Sequence, residues 1–362
     1  MKILYLFSDT VPEWNCSEHR IAVPFRAMRR RGISCEMARL QDWEMNPFEN
    51  DPLTEEADLV IIQRNVFVPT MHKIAYWRAK GKPIVIDYDD AYHLMGLDTG
   101  SPSSEFWHSG TLGENKETGE KQVSDPHPLR AIEWGSKIAG AVSGPSELLL
   151  DDWSKFGVNT YLLPNFLESR LYKRHEVYKE PGKIYIGGGG SMGHLKSWVD
   201  SGIVQGLNQL IQENKNVVVA LTGDDRVYAK LTSLKPSSRV SMKWATYATY
   251  SKNLSLFDIG VLPLVGEYDR RRSWIKPIEY SSMGFPWVGS NYEPNRVGLG
   301  SGMLIENTPN EWYKALKYCI DNLADLTQAC RSVADKVLEF YDVDNNSDLL
   351  LSVYERIVEE NG

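Results

Sequence analysis

The sequence predicts an α/β protein built from two doubly wound parallel-sheet domains that face each other across a cleft. Three observations predict it. Apolar, β-rich runs alternate with helical segments along most of the chain, the pattern of βαβ units in a parallel sheet. The alternation breaks once, at "NFLESRLYKRHEVYKEPGK" (165–183), a polar, charged segment with Pro and Gly that reads as a linker. And 362 residues are more than one hydrophobic core usually serves.

In the first half, strands are expected at KILYLF (2–7), ISCEMARL (33–40), DLVIIQ (58–63), PIVIDY (83–88), GAVSG (140–144) and TYLLP (160–164). Helices fall near 19–31, 70–80, 128–137 and 145–156. The second half repeats the pattern at KIYIG (183–187), NVVVALTG (216–223), RVSMKW (239–244), FDIGVLPL (257–264), PWVGS (286–290) and GMLIE (302–306). These readings divide the chain into a first domain at 1–165, a linker at 166–182 and a second domain at 183–340. Residues 341–362 are expected to form a helix that packs back on the first domain. Residues 91–127 interrupt the first domain. They are turn-rich and charged around Trp107 and His108, and their composition favours a disordered loop over an ordered lid.

Composition narrows the function classes. A net charge of −8 and a pI near 5.5 argue against broad, non-specific nucleic-acid binding. Of two arginine runs, 29–31 sits near a predicted helix end, where cations complement the dipole. The other, 270–272, has more informative neighbours. Eleven tryptophans are mostly expected in the core. Four cysteines show neither C-x-x-C nor metal spacing, as in a reducing compartment. The N-terminus reads as a first strand, and no apolar run approaches the ~18 residues of a membrane span. A cytoplasmic protein is the expectation.

Ligands of doubly wound sheets bind beyond the carboxyl ends of the strands, so residues just after strands are the candidates. Gly188, Gly190 and Gly193 satisfy G-x-G-x-x-G. The acidic residue a dinucleotide site needs about 20 positions on is absent, however, and Gly193-His194-Leu195 is not a P-loop ending. What remains is a glycine run with His194 and Lys196 nearby, suited to a diphosphate rather than to a merely flexible turn. Further on, "RRRSWIKPIEYSSMGFPWVGS" (270–290) follows a strand, with Lys276 and Glu279 at i and i+3 on one helical face. Such a pair suits a phosphate and ribose hydroxyls, and Arg270–Arg272 could extend the anion pocket.

A third cluster, "IVIDYDDAYH" (84–93), brings Asp87, Asp89, Asp90 and His93 to a strand end. One carboxylate could orient or deprotonate an acceptor hydroxyl. The same residues also read as a metal-binding D-x-D, as an Mg²⁺-dependent phosphohydrolase with Asp87 as nucleophile and Asp89 as acid, or as helix caps.

"KPIEYSSMGFPWV" (276–288) resembles the donor-binding segment of GT-B glycosyltransferases of the large retaining class, which commonly reads K-x-x-E-Y-x-A-x-G-x-P-V-V. Other pieces follow in family order. "CSEHRIAVPFRAMRRRG" (16–32) is similar to the first acceptor-domain helix, and "VSGPSELLLDDWSKFGVNTYLLPNF" (142–166) to the stretch leading into the linker. "IGGGGSMGHLKSW" (186–198) resembles the start of the donor domain, and "LTGDD" (221–225) a later glycine turn.

The resemblance implies two Rossmann-like domains and transfer of a sugar from a nucleotide-diphosphate sugar, a UDP- or GDP-sugar, to a hydroxyl acceptor, with retention and no obligatory metal. It implies ribose contacts from Glu279, diphosphate contacts from Lys196, Gly189 and Gly190 with His194 beside them, and Asp224 in the glycine turn. Lys276 joins this pocket by charge and position. On the acceptor side stand Arg20, Asp87, Asp90, His93 and Trp107, with Asp89, Arg271 and Lys196 as catalytic candidates and no assigned nucleophile. The chain departs from the pattern eight residues before Glu279, where many members carry a second Glu and this sequence has Arg271. Either the cation replaces that carboxylate, or Glu267 is brought in by a shifted loop. The departure keeps a non-catalytic sugar-nucleotide binder open beside the phosphohydrolase. The acceptor class expected is a glycan. A modified DNA base is disfavoured by the acidic pI.

Overall fold

The computed structural model describes residues 1–97, 103–115, 117–231, 234–297 and 300–362. Twelve strands form two six-stranded sheets, all parallel. The first sheet uses β1 (Lys2–Phe7), β2 (Ser34–Arg39), β3 (Leu59–Gln63) and β4 (Ile84–Asp87). After the hairpin β5 (Thr111–Glu114) and β6 (Lys121–Val123), it adds β7 (Gly140–Gly144) and β8 (Asn159–Leu162), giving the order β2-β1-β3-β4-β7-β8. The second uses β9 (Ile184–Gly190), β10 (Val217–Gly223), β11 (Arg239–Met242), β12 (Ile259–Leu262), β13 (Trp287–Ser290) and β14 (Gly302–Ile305). Its order, β11-β10-β9-β12-β13-β14, is the doubly wound order with the first strand central. Helices on both faces bury these strands, so β3 and β4 are apolar without alternation.

Trp43, Trp153, Trp198, Trp287 and Trp312 are among the largest fully buried side chains. Two segments cross between the sheets side by side. Leu167 N–H donates to the Tyr341 carbonyl at 2.9 Å, and Val343 N–H donates to the Leu167 carbonyl at 2.8 Å. The helix Ser347–Asn361 lies against helix Val23–Arg30 and strands β7 and β8, with the Tyr354 and Tyr5 rings 6.1 Å apart. Among the described residues, no helix is long and apolar enough to cross a membrane.

Two expectations need correction. Within 91–127, the described residues form the helix Ser104–Ser109 and the hairpin β5–β6 rather than a disordered loop. The apolar anchors that composition averages away are Phe106 and Trp107. Trp107 is buried and stacks on Tyr92 at 4.5 Å. Residues 98–102 and 116 lie outside the described set. Second, glycines 187–190 are the last residues of β9, not a loop after it. A Cβ on Gly187 would lie 1.9 Å from Phe257, and one on Gly188 2.6 Å from Trp198. Close packing of rings on the strand, not backbone freedom, requires those two glycines.

Candidate functional site

The carboxyl edges of the two sheets face a common cleft of about 580 Å³, within the range of small-molecule sites. The first sheet contributes the segments after β1, β3 and β4. The second contributes those after β9 to β13.

On the second wall, helix Ile275–Ser282 starts soon after β12 and carries Lys276 and Glu279 into the cleft. Glu279 is buried, and its Oε1 accepts a hydrogen bond from Tyr172 Oη at 2.6 Å. Burial pushes its pKa up, against the pull of Lys276 and Tyr172. Burial pushes Lys276 down, with Glu279 opposing and Arg272 assisting. Among the described residues, the Lys276 ammonium has no hydrogen bond or ion pair. A desolvated cation without a partner suits an anionic ligand.

Arg272 donates from Nη1 to Asp269 Oδ1 at 3.2 Å, to the Gly193 carbonyl at 3.3 Å and to His194 Nδ1 at 3.2 Å. An arginine can only donate, so His194 is the neutral tautomer with its proton on Nε2. Burial, then Arg272 and Lys276, hold its pKa well below the usual histidine value. Gly190 has φ +151°, and a Cβ there would meet His194 Cδ2 at 2.1 Å. The glycine is what lets this ring lie against the strand end.

On the first wall, the three aspartates after β4 have different fates. Asp87 is fully buried. Its two oxygens accept from Arg20 Nε and Nη2, both at 2.7 Å, and Ser143 Oγ donates to it at 2.6 Å. Arg20 also donates to the Leu163 carbonyl and to Asn165 Oδ1. This pair therefore ties the sheet to the linker, and a carboxylate so held, fully buried and not lining the cleft, is not presented to a substrate. The phosphohydrolase reading loses its nucleophile. Asp89 accepts from Tyr92 Oη at 2.6 Å and faces Arg64 at 3.7 Å. Burial raises its pKa, but Arg64, Cys16 and Tyr92 outweigh that and keep it below the usual range.

Asp90 accepts from Tyr268 Oη at 3.0 Å and lies 3.9 Å from Arg272 Nε. Its Oδ1 is buried without a hydrogen-bond partner among the described residues. Burial, with Asp89 adding, pushes it up to about 6 despite Arg272 and Tyr268.

Several sequence candidates stand elsewhere. Arg271 binds Asp152 Oδ2 and Glu267 rather than the cleft, and Glu267 is exposed. Arg272, one residue on, is the cation of the cleft. His93 shares Asp152 with Arg271, at 2.9 Å. Asp224 caps helix Asp225–Lys230 and pairs with Arg226. Lys196 pairs with Asp200 at 3.0 Å, one helical turn on. Gly189, Gly190, His194, Lys276, Glu279, Arg20, Asp89, Asp90 and Trp107 share the cleft.

The sequence reading missed Arg64, His19 and Tyr268, and named Arg272 only as part of the run 270–272 while singling out Arg271. Arg64 immediately follows β3, the same signal that singled out the others. Its φ of +36° is a strained value that favours a functional position. Among the described residues, no group of three or more His, Cys, Asp or Glu is arranged to hold a metal ion.

No protein-family model matches the sequence, and no curated protein matches it. Solved structures do match its fold. HepE from Anabaena in complex with UDP and glucose aligns over 99% of both chains, with 14% identity and a TM-score of 0.59. Sucrose-phosphate synthase from Thermosynechococcus elongatus aligns over 99% of both, with 11% identity and a TM-score of 0.64. A UDP-N-acetylglucosamine 2-epimerase aligns over 97% of this chain and 94% of its own, with 11% identity and a TM-score of 0.50. Two parallel six-stranded Rossmann-like domains in this arrangement are the GT-B fold of glycosyltransferases, and that is the fold of this chain.

Proposed function

We propose that the protein transfers a sugar from a nucleotide-diphosphate sugar to a hydroxyl acceptor in this cleft. The observation that carries the reading is the opposition of two walls. Glu279, the partnerless Lys276, His194 and Arg272 line one, and Asp90 lines the other. Glu279 suits the ribose hydroxyls. Lys276, Arg272 and the Nε2–H of His194 suit the diphosphate, where negative charge grows as the leaving group departs. Asp90 accepts the hydrogen bond of the acceptor hydroxyl and takes its proton as the acceptor oxygen bonds to the anomeric carbon. The bond from that carbon to the phosphate oxygen breaks, and the nucleoside diphosphate leaves as an anion.

HepE, crystallised with UDP and glucose, favours UDP as the nucleotide. The likeness of 276–288 to the retaining class favours retention, for which the acceptor oxygen enters on the face the diphosphate leaves, and the anomeric configuration of the product tests it by NMR. A thermal-shift panel of UDP-, GDP- and ADP-sugars tests the donor, since a ligand of the native state raises the melting temperature by mass action. Stabilisation by a UDP-sugar, followed by transfer in an acceptor screen, is expected. No response to any nucleotide sugar would contradict the proposal. So would inversion at C2 of UDP-N-acetylglucosamine with no acceptor present.

A further inference from the structure

The segment 268–274 clasps the first domain with five of its seven residues. Tyr268 donates to Asp90, Arg271 to Asp152, and Trp274 Nε1 to the Pro145 carbonyl at 2.7 Å, while Ser273 Oγ accepts from Asn165 at 2.6 Å. Arg272 alone in this clasp touches both walls of the cleft. Its Nη1 edge holds His194, Gly193 and Asp269, and its Nε edge faces the unpartnered Oδ1 of Asp90. The plane lies over the Tyr268 ring at 5.1 Å, which fixes its tilt. Nη2 lies next to Gly193, 3.7 Å from where a Cβ on that glycine would sit, and makes no hydrogen bond among the described residues. Donor N–H groups are thus left on the side where His194 and Lys276 gather.

We propose that Arg272 is a positioning residue that couples the two half-sites: a nucleotide-sugar diphosphate engaging Arg272 makes Asp90 a stronger base. The inference rests on the donor reading above. Its physical basis is one cation shared by two anions. Before a donor binds, Arg272 is the cation that opposes protonation of Asp90 from the second domain. A diphosphate beside the same guanidinium offsets that field and adds its own negative charge. The groups facing Asp90 are Asp89 and Tyr92 on its own segment, Cys16 from the segment after β1, and Tyr268, Arg272 and the Ser273 backbone N–H from the other domain. Of these only Arg272 also faces His194. The Asp90 carboxyl already titrates near 6, and a further rise brings it towards neutral pH, where a general base works best. Donor binding thereby prepares the acceptor side.

The sign of the linkage follows. A group whose pKa rises on binding takes up a proton between its free and bound pKa values. Donor affinity therefore grows as pH falls through that window, about tenfold per unit of pKa shift. UDP-glucose is the probe, because neither of its diester phosphates titrates there.

The experiment has two arms. Without ligand, the Asp90 carboxyl is titrated by carbon-detected NMR in wild type, Arg272→Gln and Arg272→Lys. Its pKa is expected to rise in the Gln variant and to return towards the wild-type value in the Lys variant. An unchanged titration in Arg272→Gln would overturn the coupling whatever the donor is. With ligand, UDP-glucose binding is measured calorimetrically in two buffers of different ionisation enthalpy between pH 5.5 and 7.5. Wild type is expected to take up protons, and Asp90→Asn to bind UDP-glucose without uptake. Binding by wild type with no uptake, or uptake that persists in Asp90→Asn, would overturn the inference and leave the donor reading standing. No binding of UDP-, GDP- or ADP-glucose by wild type would overturn both.

Discussion

Single residues in the cleft carry costs that stability measurements can read. Asp90 has a folded-state pKa of about 6 against an ordinary value of 3.8. A raised carboxyl is favourable to folding only while protonated, so its contribution is lost as pH climbs from about 4 to about 6. Asp90→Asn is expected to stabilise the protein at pH 7 by on the order of 1–3 kcal/mol, with the gain absent near pH 4. The same variant should lose transfer activity. Denaturant melts at both pH values check it, and equal stability of variant and wild type at pH 7 would contradict the account. Asp87 has the opposite character. Removing it by Asp87→Ala leaves Arg20 buried and uncompensated, which is expected to cost about 3–5 kcal/mol. A loss below 1 kcal/mol in denaturant unfolding would show that the pair is not holding the sheet to the linker.

At the scale of elements, the strands were legible because a strand buried on both faces must be continuously apolar, and few other segments are. β1, β3, β4, β10, β12 and β13 therefore stand out in the sequence, whereas β2, β11 and β14 at or near the sheet edges are only partly buried. Lys276 and Glu279 were legible for a similar reason: a helix after a strand end fixes which residues share a face. Arg271 and Arg272 were not separable in this way. The helix Gly266–Arg270 stops one residue before them, and where a helix stops decides which of two neighbours faces the cleft. A one-residue offset on a helix turns a side chain by ~100°. The glycine run misled for a different reason. Sequence cannot distinguish glycine that frees a loop from glycine that admits an aromatic ring. Phe257 comes from a distant part of the chain, so its contact with Gly187 could not be read locally, and Trp198 reaches Gly188 from the helix Leu195–Asp200 that follows β9. Gly187→Ala forces a methyl group into the Phe257 ring, and overpacking of this kind typically costs 1–3 kcal/mol. A thermal melt that matches wild type would contradict the packing explanation.

At the scale of the whole molecule, the two sheets face each other because several separate devices hold them. The crossing strands pair at Leu167 with Tyr341 and Val343. Glu168, buried beside them, accepts from Arg26 Nη2 at 2.7 Å and from Arg30 Nη1 at 2.8 Å. Segment 268–274 clasps the far side. Together they bring Glu279 and Asp90 to opposite walls of one cleft, though 189 positions separate them in the sequence. The central claim is that this cleft takes a nucleotide sugar through Glu279. Calorimetric titration of UDP-glucose into wild type and Glu279→Ala tests it most directly. Wild type is expected to bind at one site, and the variant, still folded by circular dichroism, to bind at least about tenfold more weakly, as loss of a charged hydrogen bond predicts. Equal affinity in the two proteins would contradict the account.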